Sequence, residues 1–183
     1  MLPKGNLRAS LTHMTATTSE RTHDPIHRVS YSFSREGDNL LVYTWLEDGG
    51  HLPEHFHPVQ EERWETLEGS VRVKLDGTWR DLLPEDGPVV VARGVRHELK
   101  NTSGAEARLR TEVLPAGRLQ EFLEDSARAA REGLFNSRNM PTSWRGMKWI
   151  AEFAQRHGDE TVMCSPPPAV QRVVLPLVAW FAR

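Results

Sequence analysis

The sequence predicts a mainly β domain followed by helices, and three observations carry that reading. From Arg28 to Leu114, short strings of alternating apolar and polar residues recur, with Gly and Pro between them. Many short strands at close spacing define a sandwich or a barrel. After Pro115-Ala116-Gly117 the apolar period lengthens to that of helices. Residues 1–27 are rich in Thr, Ser and charge and present no periodic apolar face, so they read as a flexible tail. The expected divisions are a tail over 1–27, a barrel over 28–116 and a helical extension over 117–183. Met14 is an alternative start within the tail, and His13, His23 and His27 are expected to be solvated there.

The strands follow in order. Val29, Tyr31 and Phe33 alternate with polar residues, as in a half-buried strand. Leu40 to Leu46 is almost continuously apolar, which predicts a strand buried on both faces. Val71, Val73 and Leu75 alternate with Arg72 and Lys74, and Asp76-Gly77 predicts a two-residue hairpin. Trp79, Val89 to Val91 and Leu99 mark further strands. Ala107, Leu109, Thr111 and Val113 alternate with Arg108, Arg110 and Glu112. Beyond Gly117, the residues Leu119, Phe122, Leu123, Ser126 and Ala130 share one helical face that ends near Gly133. A second helix begins at Thr142 or Ser143 as its cap, turns Trp144, Met147, Ala151 and Ala154 inward, and stops at Gly158. A third apolar segment carries Val170, Val173, Val174, Leu177 and Phe181, with Pro176 set to kink it.

Composition narrows the functional classes. In 183 residues, Lys+Arg 23 against Asp+Glu 25 gives a net charge of −2, without the basic cluster that tracks a phosphate backbone. Nucleic acid is therefore not an expected partner. No apolar run approaches the roughly 20 residues of a membrane span, so a cytoplasmic protein is the expectation. Cys164 is alone, which excludes an internal disulfide and a cysteine zinc site and leaves a buried structural thiol.

Chemistry concentrates in two blocks, Gly49-x5-His55-x-His57-x4-Glu62-x6-Gly69 and Gly94-x2-His97-x3-Asn101. His55 and His57, two residues apart, leave a strand on one face. His57-Pro58 ends that strand, because proline has no N–H for the ladder. Alternation then selects the carboxylate. Arg63 and Glu65 are charged and face water together with Glu61, whereas Trp64 and Thr66 share the inner face with Glu62. Neutral imidazoles with one carboxylate are a set that divalent transition metals favour. His55, His57, Glu62 and His97 are the expected ligands of one such ion, with Fe, Mn, Zn, Ni and Cu all compatible. Trp64, Thr66 and Leu99 are expected as walls of the interior. His51 and Glu54 are expected in solvent, His157 as a helix C-terminal residue favouring the dipole, and Arg93, Arg96 and Arg110 as solvated charges.

These two blocks resemble the cupin superfamily. Its first motif, G-x5-H-x-H-x3,4-E-x6-G, is matched at every specified position from Gly49 to Gly69. Its second, G-x5-P-x-G-x2-H-x3-N, is matched at Gly94, His97 and Asn101; Ala92 stands where the motif has Pro, and Gly87 lies one residue too near. The resemblance covers about residues 28–114, and the helical tail is similar to one in small single-domain bacterial cupins. It implies a double-stranded β-helix, or jelly-roll, barrel with the metal inside and two to three C-terminal α-helices, and a homodimer. Apolar Leu67, on the charged face of its strand, also points to a dimer. The superfamily spans oxygenases, isomerases, decarboxylases, cyclases and binders, so fold alone does not choose a reaction. The leading expectation is a metal-dependent, dioxygenase-like oxidoreductase acting on a small organic molecule. A redox-silent isomerase or cyclase, and a binding or sensing module without turnover, stand beside it. No unambiguous general acid or base is visible in the sequence.

Overall fold

The computed structural model describes residues 20–167 and 169–172. The eleven strands among them form two antiparallel sheets. The first sheet takes β1 (Thr22–Asp24), β2 (Val29–Glu36), β3 (Asn39–Leu46), β10 (Ala107–Leu114), β5 (Glu61–Glu68) and β8 (Val89–Val91), in that spatial order. The second takes β11 (Val162–Met163), β4 (His51–Phe56), β9 (His97–Lys100), β6 (Val71–Leu75) and β7 (Thr78–Leu82). Neighbours in the sheets are distant in sequence: β3 beside β10, β10 beside β5, β4 beside β9. This interleaving is the jelly-roll arrangement, and the sequence-based reading of fold class holds.

Alternation explains which residues fill the interior. On β5, Glu62, Trp64 and Thr66 are buried while Glu61 and Arg63 are exposed. On β10, Ala107, Leu109, Thr111 and Val113 point inward. Burying a side chain such as Trp64 or Leu109 contributes about 2–3 kcal/mol. The Asp76-Gly77 hairpin forms as read, with both residues at positive φ and Leu75 opposite Thr78. The second motif's Asn101 is a structural tie: its fully buried amide donates to the carbonyls of Leu46 and Ala105 at 2.8 and 2.7 Å. At the turn that departs from the motif, Val95 N–H closes onto the Ala92 carbonyl at 3.1 Å, so Ala92 makes the turn without the proline.

Five expectations need correction. β3 is not buried on both faces: Leu40, Val42, Thr44 and Leu46 are buried, and Leu41, Tyr43 and Trp45 are half-buried, because a solvent-side cover such as Arg21 stacked on Trp45 leaves that face partly open. The tail is shorter than 1–27. Thr22–Asp24 pairs with β2, and the Asp24 carboxylate accepts the backbone N–H groups of Ile26 and His27 to make the turn between them. Residues 1–19, with Met14 and His13, lie outside the described residues. Trp144 is exposed, since it occupies the first position of its helix, ahead of the first inward-facing turn. His157 is the last residue of its helix, as read, but it is buried as well, because it packs between Phe122 and Phe153 and meets Asp125. His51 and Glu54 are half-buried, held on the outer sheet surface by Glu98 and Lys74.

Helices α1 (Leu119–Arg131) and α2 (Trp144–His157) follow the barrel among the described residues. Ser143 caps α2 by accepting the Gly146 N–H at 3.3 Å. Gly146 is required by packing, since a Cβ there would lie 2.6 Å from the Leu134 carbonyl oxygen. Asp125 joins the helices: it accepts hydrogen bonds from Arg128 and Arg156 and meets the His157 ring. The expected third helix is helical over 169–172, and its remaining positions, including Pro176 and Phe181, lie outside the described residues. Cys164 is partly buried, and burial raises its thiol pKa. Among the described residues, no helix is long and apolar enough to cross a membrane.

Candidate metal centre

β4 and β9 place the first two imidazoles. Their register sets His55 directly opposite His97, so both rings rise from one face of the sheet. Their Nε2 atoms lie 3.0 Å apart. His57 follows one residue after β4 ends and keeps the inward direction; its carbonyl accepts the Gly94 N–H at 2.8 Å, which ties this turn to the one before His97. Glu62 enters from β5 in the facing sheet. Its Oε1 is 3.4 Å from His57 Nε2 and its Oε2 is 3.5 Å from His97 Nε2. The three histidines offer ligand atoms within 4.8 Å of one another. All four residues read from the spacing therefore meet.

Backbone carbonyls orient the rings. His55 Nδ1 donates to Pro53 O at 2.7 Å, His97 Nδ1 to Val95 O at 2.9 Å, and His57 Nδ1 to Glu160 O at 3.0 Å. A carbonyl can only accept, so each Nδ1 carries the proton and each Nε2 turns a lone pair inward. Glu62 is held in turn by the Trp64 indole, which donates to Oε2 at 2.9 Å. Three lone pairs and a carboxylate thus converge, and the buried Nε2 of His57 has no hydrogen-bond partner. An unpartnered buried acceptor is costly. A cation between these atoms removes that cost, so the donor set fits a divalent metal ion, and the carbonyl-bound Nδ1 groups are the supporting contacts such ligands use.

The electrostatics agree. Burial, reinforced by the charges of His97 and His57, pushes the His55 pKa well below its ordinary value. Burial also lowers that of His97, against the pull of Glu62. For His57 burial acts in the same sense, but the Glu62 carboxylate outweighs it and the pKa is raised. Burial works against ionisation of Glu62, yet the neighbouring histidines, His57 foremost, hold its carboxyl far below the usual carboxylate range. The site keeps a carboxylate charged and two imidazoles neutral, as metal binding requires.

The centre opens into a cavity of about 1140 Å³. Its lining includes Val42, Trp64, Leu99 and Leu109 from the barrel and Phe122, Met147, Trp149 and Phe153 from the helices. Phe153 stacks on Trp149 with centroids 4.4 Å apart and meets Phe122 at 4.8 Å. Trp64 and Leu99 are wall residues as expected. Thr66 is buried but spends its hydroxyl on the Leu82 carbonyl at 3.0 Å. Arg110 pairs with Glu65 and Glu112 on the outer face, and Arg93 and Arg96 are exposed. Sequence reasoning missed Glu160 and Thr161, whose carbonyl and hydroxyl reach His57 from 103 and 104 residues away. No local spacing carries that signal. It also missed the Asp24–His27 pair at the cavity wall, whose i, i+3 spacing was readable.

Two sheets in jelly-roll order, with three inward histidines at one end, define a cupin barrel bearing a metal-type ligand cluster. A cupin from Shewanella frigidimarina described as RmlC-like superposes with a TM-score of 0.50 at 19% identity, covering 57% of this chain and 91% of that one. That likeness establishes the cupin fold. No protein-family profile matches the chain. Among curated proteins, an oxidoreductase of Arthrobotrys oligospora is 36% identical over 58 residues, 32% of this chain and 23% of the relative. The tetracenomycin polyketide synthase protein TcmJ of Streptomyces glaucescens is 31% identical over 76 residues, 42% of this chain and 50% of the relative. The chain thus spans half or less of the length of these curated relatives.

Proposed function

We propose that the chain binds one divalent transition metal through His55, His57, His97 and Glu62 and acts as a metal-dependent, dioxygenase-like oxidoreductase on a small organic molecule. The observation that carries this reading is the convergence of three Nε2 lone pairs and one carboxylate in the lining of a largely apolar cavity. His55, His57, His97 and Glu62 would hold the ion, a donor set like that of non-haem iron oxygenases with an added imidazole, and would leave it accessible to substrate from the cavity. When bound, a redox-active ion supplies the electron transfer that O2 chemistry needs. The chain's own residues do the rest. Trp64 fixes the Glu62 carboxylate, the backbone carbonyls fix the imidazoles, and the apolar walls exclude water and favour an apolar substrate. The partial likeness to an oxidoreductase supports the reading.

The partial likeness to a polyketide synthase protein favours a second reading, an isomerase or cyclase in which the ion acts as a Lewis acid. Oxygen uptake separates the two. Iron-loaded protein is to be followed with an oxygen electrode over a panel of phenols, enols and thiols, beside zinc-loaded protein under nitrogen. Oxygen consumption with iron alone supports the oxidoreductase. Product formation with zinc in the absence of oxygen supports the second reading and overturns the first. A cytoplasmic homodimer completes the proposal, and sedimentation of the purified chain tests the dimer.

A further inference from the structure

Glu160 is engaged at both ends. Its carbonyl accepts from His57 Nδ1 at 3.0 Å. Its carboxylate accepts from Arg118 twice, through the backbone N–H at 2.6 Å and through Nε at 3.0 Å. Gln60, in the loop between His57 and Glu62, is only 1% exposed. Its amide donates to the Ala116 carbonyl at 3.1 Å and makes a longer contact of 3.5 Å with the Glu160 carboxylate. Gly117 leaves the room for this, since a Cβ there would collide with the Glu160 carboxylate and the Gln60 amide. Three segments far apart in sequence, 57–62, 116–118 and 159–161, thus close on one side chain.

What the carbonyl decides is where His57 keeps its proton. A neutral imidazole carries one ring proton, on either nitrogen. Nε2 of His57 lies 3.4 Å from Oε1 of Glu62, so a proton there faces a carboxylate and uses up the lone pair that a metal needs. A proton on Nδ1 faces the Glu160 carbonyl and leaves that lone pair free. His55 and His97 make the same choice locally, through Pro53 and Val95 two residues away. We infer that Glu160 is a positioning residue of the metal centre: with its carboxylate fixed by Arg118 and Gln60, its carbonyl holds His57 in the Nδ1–H tautomer that can ligate. The inference rests on the proposed metal site and adds a residue outside the ligand set that makes it competent.

Two measurements on the full chain test this: zinc affinity by chelator competition, and imidazole nitrogen NMR of zinc-free protein in alkali, where the rings are neutral. Glu160→Ala is expected to weaken zinc about tenfold, and Arg118→Ala about threefold because its backbone N–H still reaches the carboxylate. The double variant is expected to be no weaker than Glu160→Ala, since the guanidinium acts through that carboxylate. Glu160→Gln, which keeps an acceptor for the Arg118 N–H, is expected to restore most of the affinity. In Glu160→Ala and Arg118→Ala the His57 ring is expected to gain Nε2–H tautomer while His55 and His97 stay Nδ1–H. Zinc affinity of Glu160→Ala within about twofold of wild type overturns the inference. So does an unchanged His57 signature, or the same change in all three rings. Arg118→Ala carries both readings should Glu160→Ala fail to fold. A wild-type chain that binds no zinc counts against the metal site alone, because the His57 tautomer is read without metal.

Discussion

Two of the imidazoles and the third are held in different ways. His55 and His97 each donate to a carbonyl two residues back in their own segment, Pro53 and Val95, so their orientation is built into the β4–β9 edge. His57 donates to Glu160, in the turn that follows α2, and the Thr161 hydroxyl stands 3.3 Å from the same nitrogen. That turn is clamped in place: Arg118, just before α1, donates to the Glu160 carboxylate through its backbone N–H at 2.6 Å and its Nε at 3.0 Å, and pairs with Asp159. Next to it β11 pairs with β4 at Phe56 and His55. One part of the centre is therefore local to the barrel, while the other depends on the helical extension. The extension is a component of the site as well as a wall of the cavity.

Acidification breaks the comparison most strongly. His57 has the raised pKa, so as pH falls it is the first of the three to take a proton, above the ordinary imidazole value of 6.5. His55 and His97, with lowered values, stay neutral further into acid. Because a ligand imidazole must be neutral, metal affinity is fully present at high pH and falls as pH drops through the His57 value. Chelator competition between about pH 8 and about pH 5 is expected to show a loss on the order of a hundredfold, beginning above 6.5. An onset only well below 6.5 contradicts the role given to Glu62 in raising His57.

Trp64→Phe comes next. It removes the indole donor from Glu62 while keeping an aromatic wall, and metal affinity is expected to fall about tenfold. Unchanged affinity in the same chelator assay means that Glu62 needs no support. Thr161→Val addresses the remote side alone, removing the hydroxyl near His57 but not the Glu160 carbonyl. A loss of about twofold to fivefold is expected, smaller than for Trp64→Phe because the stronger of the two contacts remains. Asp125→Ala is expected to leave metal affinity unchanged while lowering the stability of the α1–α2 pair by about 1–3 kcal/mol, since it strands His157 and two arginines. Thermal unfolding of the zinc-loaded variant reads the second effect. A matched fall in metal affinity shows that the helices transmit strain to His57.

The same division governs what was readable in the sequence. Period-two alternation separated Glu62 from Glu61 and put Trp64 beside it, because a strand dictates side-chain direction residue by residue. The four converging residues followed from that rule and from the spacing of two motifs, which alone gave only a sandwich or barrel; the jelly roll came from the resemblance of those motifs to the cupin superfamily. The helical half obeys a weaker rule. A helical face is set by what packs against it, so Trp144 reads as core yet is exposed, and His157 ends its helix as read but is also enclosed by two phenylalanines, which the pattern does not show. Glu160 and Thr161 have no distinguishing pattern, since their role exists only once α2 has brought them to His57. His27 looked like part of a tail because the segment is polar, and its polarity turns out to build the Asp24 turn.

The most direct test is elemental analysis of the protein as purified, beside His97→Ala prepared identically. About one transition-metal ion per chain is expected in the wild type, and less than about a tenth of that in the variant. A wild-type chain that holds no metal even after incubation with iron, manganese, nickel, copper and zinc contradicts the account, as does a variant that keeps its full complement.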